Sequence, residues 1–205
     1  MILYKTVKEK SVAEQIIEKS RFIAHVSPIE SKAEGEAFIA DIRRKHRDAT
    51  HNVPCMVLGD KMQVQWASDD GEPRGTAGPP ILQMLVNSGI TNVCIVVTRY
   101  FGGIKLGTGG LVRAYTGSAK LGIDVAGTKE VKEMFHIIVQ IDYTFLSVVE
   151  NMVKQSGFEI IHIDYTDKVL VEIVCDVEEN ALLKRRIGEI TSGKVKIVDE
   201  YQKIS

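Results

Sequence analysis

Two glycine-led stretches hold the residues whose types and spacing could do chemistry. The first is Asp69-Asp70-Gly71-Glu72-Pro73-Arg74-Gly75-Thr76-Ala77-Gly78-Pro79-Pro80. The second is Phe101-Gly102-Gly103-Ile104-Lys105-Leu106-Gly107-Thr108-Gly109-Gly110. No Asp or Glu falls between Glu72 and Asp124, yet Arg74, Arg99, Lys105, Arg113 and Lys120 all do. Cations without acids, beside backbone that exposes N–H groups at a helix start, are the parts of an anion site. Arg74, Arg99, Tyr100, Lys105, Gly107, Gly109, Gly110 and Arg113 are its candidate residues. The spacing excludes two common nucleotide loops. There is no G-x-x-x-x-G-K-[ST], and Gly107-Thr108-Gly109 continues as Gly110-Leu111-Val112 without completing G-x-G-x-x-G. A plainer reading stands beside this one. Glycines also permit a tight strand-to-helix crossover, and Asp69, Asp70 and Glu72 can serve simply to neutralise the arginines.

Catalysis would have to draw on His51, Asp69, Asp70 and Glu72, because a histidine beside a carboxylate can move protons. No nucleophile elbow, H-E-x-x-H or Ser-His-Asp order accompanies them, so the reading leans away from an enzyme without deciding the question. Its five histidines lack metal-ligand spacing, and neither a metal nor a cofactor is expected. Trp66, Tyr100, Phe101 and Tyr115 accompany the cations. Bases stack on such rings while cations meet phosphates, although core packing explains the same rings.

Composition sets bounds on these readings. A chain of 205 residues with 44% apolar content can build one large or two small packed cores. The net charge of −1 gives no overall sign of nucleic-acid binding. The charge is uneven, however. Residues 1–130 hold 17 Lys+Arg against 14 Asp+Glu, and residues 131–205 hold 9 against 13. An anionic partner should meet the first part. Cys55, Cys94 and Cys175 are isolated in apolar surroundings and read as buried free thiols. The opening MILYKTVKEK has charges where a signal peptide has its apolar centre, and no apolar run reaches a membrane span. A cytoplasmic protein is expected.

The elements that must position these residues follow from periodicity. Short strands are predicted over 2–7, 13–17 and 21–26. A helix opens at the capping box Ser31–Glu34, with Ala37, Phe38 and Ile42 inward and the basic run Arg43–Arg47 at its end. That run either complements the helix dipole or forms a nucleic-acid patch. A hairpin over 53–67 leads into the first glycine stretch, and a helix from Pro79 to Gly89 follows. Residues 92–97 read as a strand buried on both faces. The second glycine stretch then precedes a helix over 111–122, with Arg113 in its first turns, where a cation opposes the dipole unless an acid or anion answers it. Gly127-Thr128-Lys129 marks a boundary. Beyond it the order is strand, helix, strand, strand, helix, strand, the ferredoxin-like βαββαβ pattern. The expected class is α+β, with domains 1–130 and 131–205. In the second, Lys184-Arg185-Arg186 reads as a solvated helix face.

Four blocks in order carry a resemblance: Lys19–Ala24, Ala49–Asn52, Ser68–Pro79 and Thr98–Tyr115. Together they resemble the YigZ/IMPACT family, and they span most of residues 1–127. The resemblance implies a first domain like the second domain of ribosomal protein five of the small subunit, a fold that recurs in domain four of elongation factor G. It implies a tail like domain five of that factor. Eukaryotic relatives regulate translation through a stress-kinase pathway by binding a protein partner, and nucleic-acid binding is inferred for bacterial members.

Three functions therefore compete. The favoured one is a non-enzymatic, translation-associated regulator that binds RNA, a ribosome or a translation-related protein through the basic glycine-led surface. The second is an enzyme acting on a small phosphorylated or anionic substrate, since the same broad fold serves phosphate-binding kinases. The third is a protein-interaction module without nucleic-acid binding.

Overall fold

The computed structural model describes residues 2–204. Met1 and Ser205, the outer ends of the two expected domains, lie outside them. The chain forms two compact units: Tyr4–Glu130 is one, and the rest of the described chain is the other.

The first unit is built on a five-stranded antiparallel sheet. Its strands are β2 (Ser11–Ile17), β3 (Ser20–Pro28), β4 (His51–Leu58), β5 (Val64–Ala67) and β6 (Val93–Tyr100), in the order β2-β3-β6-β4-β5. Helix α1 (Lys32–Lys45) covers one face. Helices α2 (Gly78–Asn87) and α3 (Gly107–Ala126) cover the other. Successive strand residues point to opposite faces, so β6 divides its apolar run. Val93, Ile95 and Val97 join the core under α2 and α3, while Cys94 and Val96 join Ile39 and Ile42 of α1. The sheet is antiparallel, and helices on both sides still make its central strand apolar throughout.

Local signals set the helix ends. Ser31 caps α1 by accepting from the Glu34 N–H, while Glu34 reaches back to the Glu30 N–H, one residue beyond the usual capping box. Gly89 stands in the left-handed region after α2. Its N–H bonds the Val86 carbonyl and that of Ile90 bonds Leu85, a Schellman ending. On α1, Ile39 and Ile42 are buried, with Phe38 partly so, but Ala37 is exposed and not inward as expected. The basic end of α1 is largely paired: Arg43 with Asp70, and Arg44 and Lys45 with Asp41.

The second unit joins β7 (Thr128–Ile141), β8 (Glu159–Tyr165), β9 (Val169–Asp176) and β10 (Lys196–Ile204) with helices α4 (Tyr143–Lys154) and α5 (Asn180–Ile190). β10, β7, β9 and β8 lie side by side, all antiparallel, and β1 (Ile2–Val7) also pairs with β7. The element order is βαββαβ, as expected. Strand β7 begins directly after Gly127, so the boundary segment is itself strand. The run Lys184–Arg186 is not merely solvated. Lys184 lies over Phe135 and pairs with Glu200, and Arg186 lies over Phe158. All three cysteines are buried and unpaired. Burial raises the thiol pKa of Cys94 to about 12 and that of Cys175 to about 11. Among the described residues no helix is long and apolar enough to cross a membrane, and no three His, Cys, Asp or Glu side chains could together hold a metal ion.

Candidate functional site

The first glycine stretch is a brace in which each acid has a separate duty. The Asp69 carboxylate accepts from three backbone N–H groups, those of Gly75 at 2.7 Å and of Ala77 and Gly78 at 3.0 Å. Ala77 is the N-cap of α2 and has no side chain able to cap. The protein therefore supplies its own anion to that helix start. Asp70 accepts from Arg43 and from the Asn52 N–H, both at 2.7 Å, and its carbonyl accepts from His51 Nδ1 at 2.8 Å. A carbonyl only accepts, so Nδ1 carries the proton.

Glu72 turns inward, with 4% of its side chain exposed. Its Oε1 accepts from Arg99 and from the Tyr115 hydroxyl, both at 2.7 Å, and His51 Nε2 stands 3.8 Å away. Burial first, and then the bond to Glu72, push the Tyr115 pKa well above its ordinary value and keep it a donor. Arg99 also donates to Ser20 Oγ at 3.3 Å, an oxygen shared with the Gly102 N–H. The Arg99 guanidinium lies 5.4 Å from the ring centroids of both Phe22 and Phe101. Its Nε is buried and has no partner among the described residues.

The second stretch approaches this cluster closely. A Cβ on Gly102 would sit 2.0 Å from the backbone of Lys19, so the chain passes there only with glycine. Gly107 has φ +67° and opens α3 four residues earlier than expected. Gly109 and Gly110 thus belong to the first turn of the helix, not to a loop. The N-cap is Leu106; no side chain caps this start and no acid stands in its first turn. Arg113 is the seventh helical residue, but side chains lean toward the helix N-terminus. Its NH1 lies 3.6 Å from the place a Cβ on Gly109 would take. The cation therefore does stand over the first turn. A pocket of about 400 Å³ lies between the two stretches, lined by Glu72, Pro73, Arg99, Phe101, Lys105, Leu106, Gly107, Thr108 and Leu111. A second depression of about 430 Å³ shares Lys105 and Leu106 and adds Glu18, Gly110 and Arg113.

Arg99, Lys105, Gly107, Gly109, Gly110 and Arg113 are thus gathered at one helix start. Tyr100 is not among them. It follows Arg99 on a strand and points to the opposite face, where its hydroxyl meets His46 Nδ1 at 2.9 Å and donates to Asp48 at 3.4 Å. Burial and then Asp48 raise its pKa. Arg74 is exposed and lines neither depression. It is not answered by Asp69, Asp70 or Glu72, whose bonds go elsewhere. Tyr115 is fully buried and cannot stack on a base; Trp66 lines a separate groove of about 700 Å³ with Ile39, Met56 and Val64. Of the proposed catalytic set, Asp69 and Asp70 are engaged by backbone N–H groups and Arg43, and only Glu72 borders the pocket. Ser20 and Thr108 were missed. Ser20 had a signal in its block, Lys19–Ala24, and Thr108 stood between the glycines.

Residues 18–123 match the Impact N-terminal domain. The chain is 43% identical over 191 residues to the IMPACT family member YvyE of Bacillus subtilis, covering 93% of this chain and 88% of that one. The chain belongs to the IMPACT family. A second IMPACT family member, YigZ of Escherichia coli, is 34% identical over 184 residues, 89% of this chain and 90% of the other. Residues 139–194 match a domain of unknown function, DUF1949. A crystal structure of a hypothetical protein aligns at TM-score 0.59 with 32% identity over 95% of both chains. Both glycine stretches and the pocket residues lie inside the match to the IMPACT domain.

Proposed function

We propose that this IMPACT-family protein is a cytoplasmic, non-enzymatic, translation-associated factor that binds RNA, free or in the ribosome, through the start of α3. The observation that carries the reading is that helix start: it is uncapped, holds no acid, and has Lys105 and Arg113 beside it. Among the described residues neither cation makes an ion pair. Exposed N–H groups, a helix dipole and two free cations suit phosphate, and Phe101, 46% exposed, adds a stacking surface. The family resemblance supplies the link to translation, through its eukaryotic regulators and through the likeness of the two domains to neighbouring domains of elongation factor G. In that reading the second unit is ferredoxin-like and meets a protein or shapes the RNA path.

The test is co-sedimentation with ribosomes and binding to bulk RNA across a salt series, for the wild type and for Lys105→Glu/Arg113→Glu. Both positions are exposed, so folding should survive. Arg99 is left intact, because reversing its charge against Glu72 would bury two carboxylates together. Binding that weakens steeply with salt and is lost in the double variant is the expected result. Salt-independent binding, or binding that the double variant keeps, would refute the proposal.

A further inference from the structure

The pocket at the start of α3 makes opposite demands at its two ends. At one end, the Gly107–Thr108 start and Lys105 favour an anion. At the other stands Glu72, whose Oε1 is taken by Arg99 and Tyr115. Glu72 Oε2 accepts no hydrogen bond among the described residues, and it is not one of their sealed, unpartnered atoms. Glu72 lines the pocket, and a carboxylate oxygen that is nearly buried and unpartnered requires a donor. It also repels phosphate, which favours the α3 end, where Lys105 stands, for a phosphate. The Phe101 ring also lines the pocket, with the Arg99 guanidinium 5.4 Å from its centroid.

We infer that the pocket takes one ribonucleotide unit of a single RNA strand: phosphate on the α3 start and Lys105, base against Phe101, and the ribose 2′-hydroxyl donating to Glu72 Oε2. This rests on the proposed function and adds to it a choice between RNA and DNA. Within a strand the 3′ and 5′ oxygens are esterified, so the 2′-hydroxyl is the sugar's remaining donor, and DNA lacks it. About 400 Å³ matches one nucleotide and is too small for a duplex.

The test compares fluorescently labelled 12-mers of uridine, 2′-deoxyuridine and 2′-O-methyluridine by anisotropy at low salt, with the full chain. The expected result is RNA binding about tenfold tighter than DNA, the loss being that of one hydrogen bond to a charged acceptor. The 2′-O-methyl strand should behave as DNA, because its oxygen cannot donate. Glu72→Gln keeps an oxygen for Arg99 and Tyr115 but turns an amide toward the pocket. It should bring the RNA-to-DNA ratio to about one. Equal binding of RNA and DNA by the wild type would overturn the ribose contact and leave the anion site standing. An RNA preference that survives in folded Glu72→Gln would also overturn it, by placing the preference elsewhere. Displacement of the strand by an equal concentration of uridine monophosphate would make a free nucleotide the occupant and overturn the strand. Binding of neither polymer would remove the proposed function itself. The modified strands decide the matter on the wild type even if Glu72→Gln does not fold.

Discussion

The two glycine-led stretches end in helix starts that were solved in opposite ways. At α2 the chain folds Asp69 back onto three N–H groups, so the helix's demand for an anion is met from within. At α3 there is no acid and no cap, and Lys105 and Arg113 add positive charge to a terminus already positive. The first arrangement is a brace. The second leaves stability unclaimed, as binding surfaces do. Glu72 connects the two by holding Arg99 in place, and by itself it reaches the pocket.

The largest way to break this comparison is Glu72→Ala. It leaves the Arg99 guanidinium buried and unanswered, and should cost about 3–5 kcal/mol in urea unfolding. A loss under about 1 kcal/mol would mean that Arg99 does not depend on the first stretch. Asp69→Ala should cost about 2–3 kcal/mol by the same measurement, because a charged cap and three acceptor contacts go together. Asp69→Asn should recover part of it. If Asp69→Ala is neutral, α2 is not braced from within and the contrast with α3 fails.

Gly102→Ala addresses the second stretch and should lose about 1–3 kcal/mol, since the new methyl meets the Lys19 backbone. Acidification tests the far face of the sheet. Burial, and then repulsion from His46 and Lys45, hold His25 down to a pKa of about 4, and its Nε2 has no partner among the described residues. The unfolded chain takes up this proton near pH 6.5 and the folded protein only near pH 4. The contribution of His25 is therefore complete above pH 6.5 and falls as the pH drops toward 4, by up to about 3 kcal/mol. His25→Phe should flatten that part of the stability–pH curve.

The smallest effect sharpens the comparison most. Thr108→Asp places at α3 the acid that α2 already has. It should raise stability by about 0.3–1 kcal/mol while weakening RNA binding. A variant that gains stability and binds RNA as well as the wild type would show that the open start of α3 is not the binding feature.

Much of the fold was legible in the residues. Ser31 and Gly89 mark helix ends through bonds that span three to five residues. The run 92–97 showed a strand covered on both faces, and the tail's periodicities showed βαββαβ. The α3 start is not legible in the sequence, because Gly107–Gly110 have the composition of a loop, yet the helix begins at Gly107. Tyr100 neighbours Arg99 in sequence, and the strand's pleat separates their side chains.

The sequence by itself determined the elements, the apolar faces and the acid-free run that drew attention to α3. All of these rest on interactions within a few residues or on simple periodicity. Only the tertiary structure decided which acid serves which partner. Asp69 turned to nearby backbone N–H groups, while Asp70 reached 27 residues back to Arg43 and Glu72 27 residues on to Arg99. The reason is that buried charges pair where sheet register and helix packing place them, and both depend on contacts far apart in the chain.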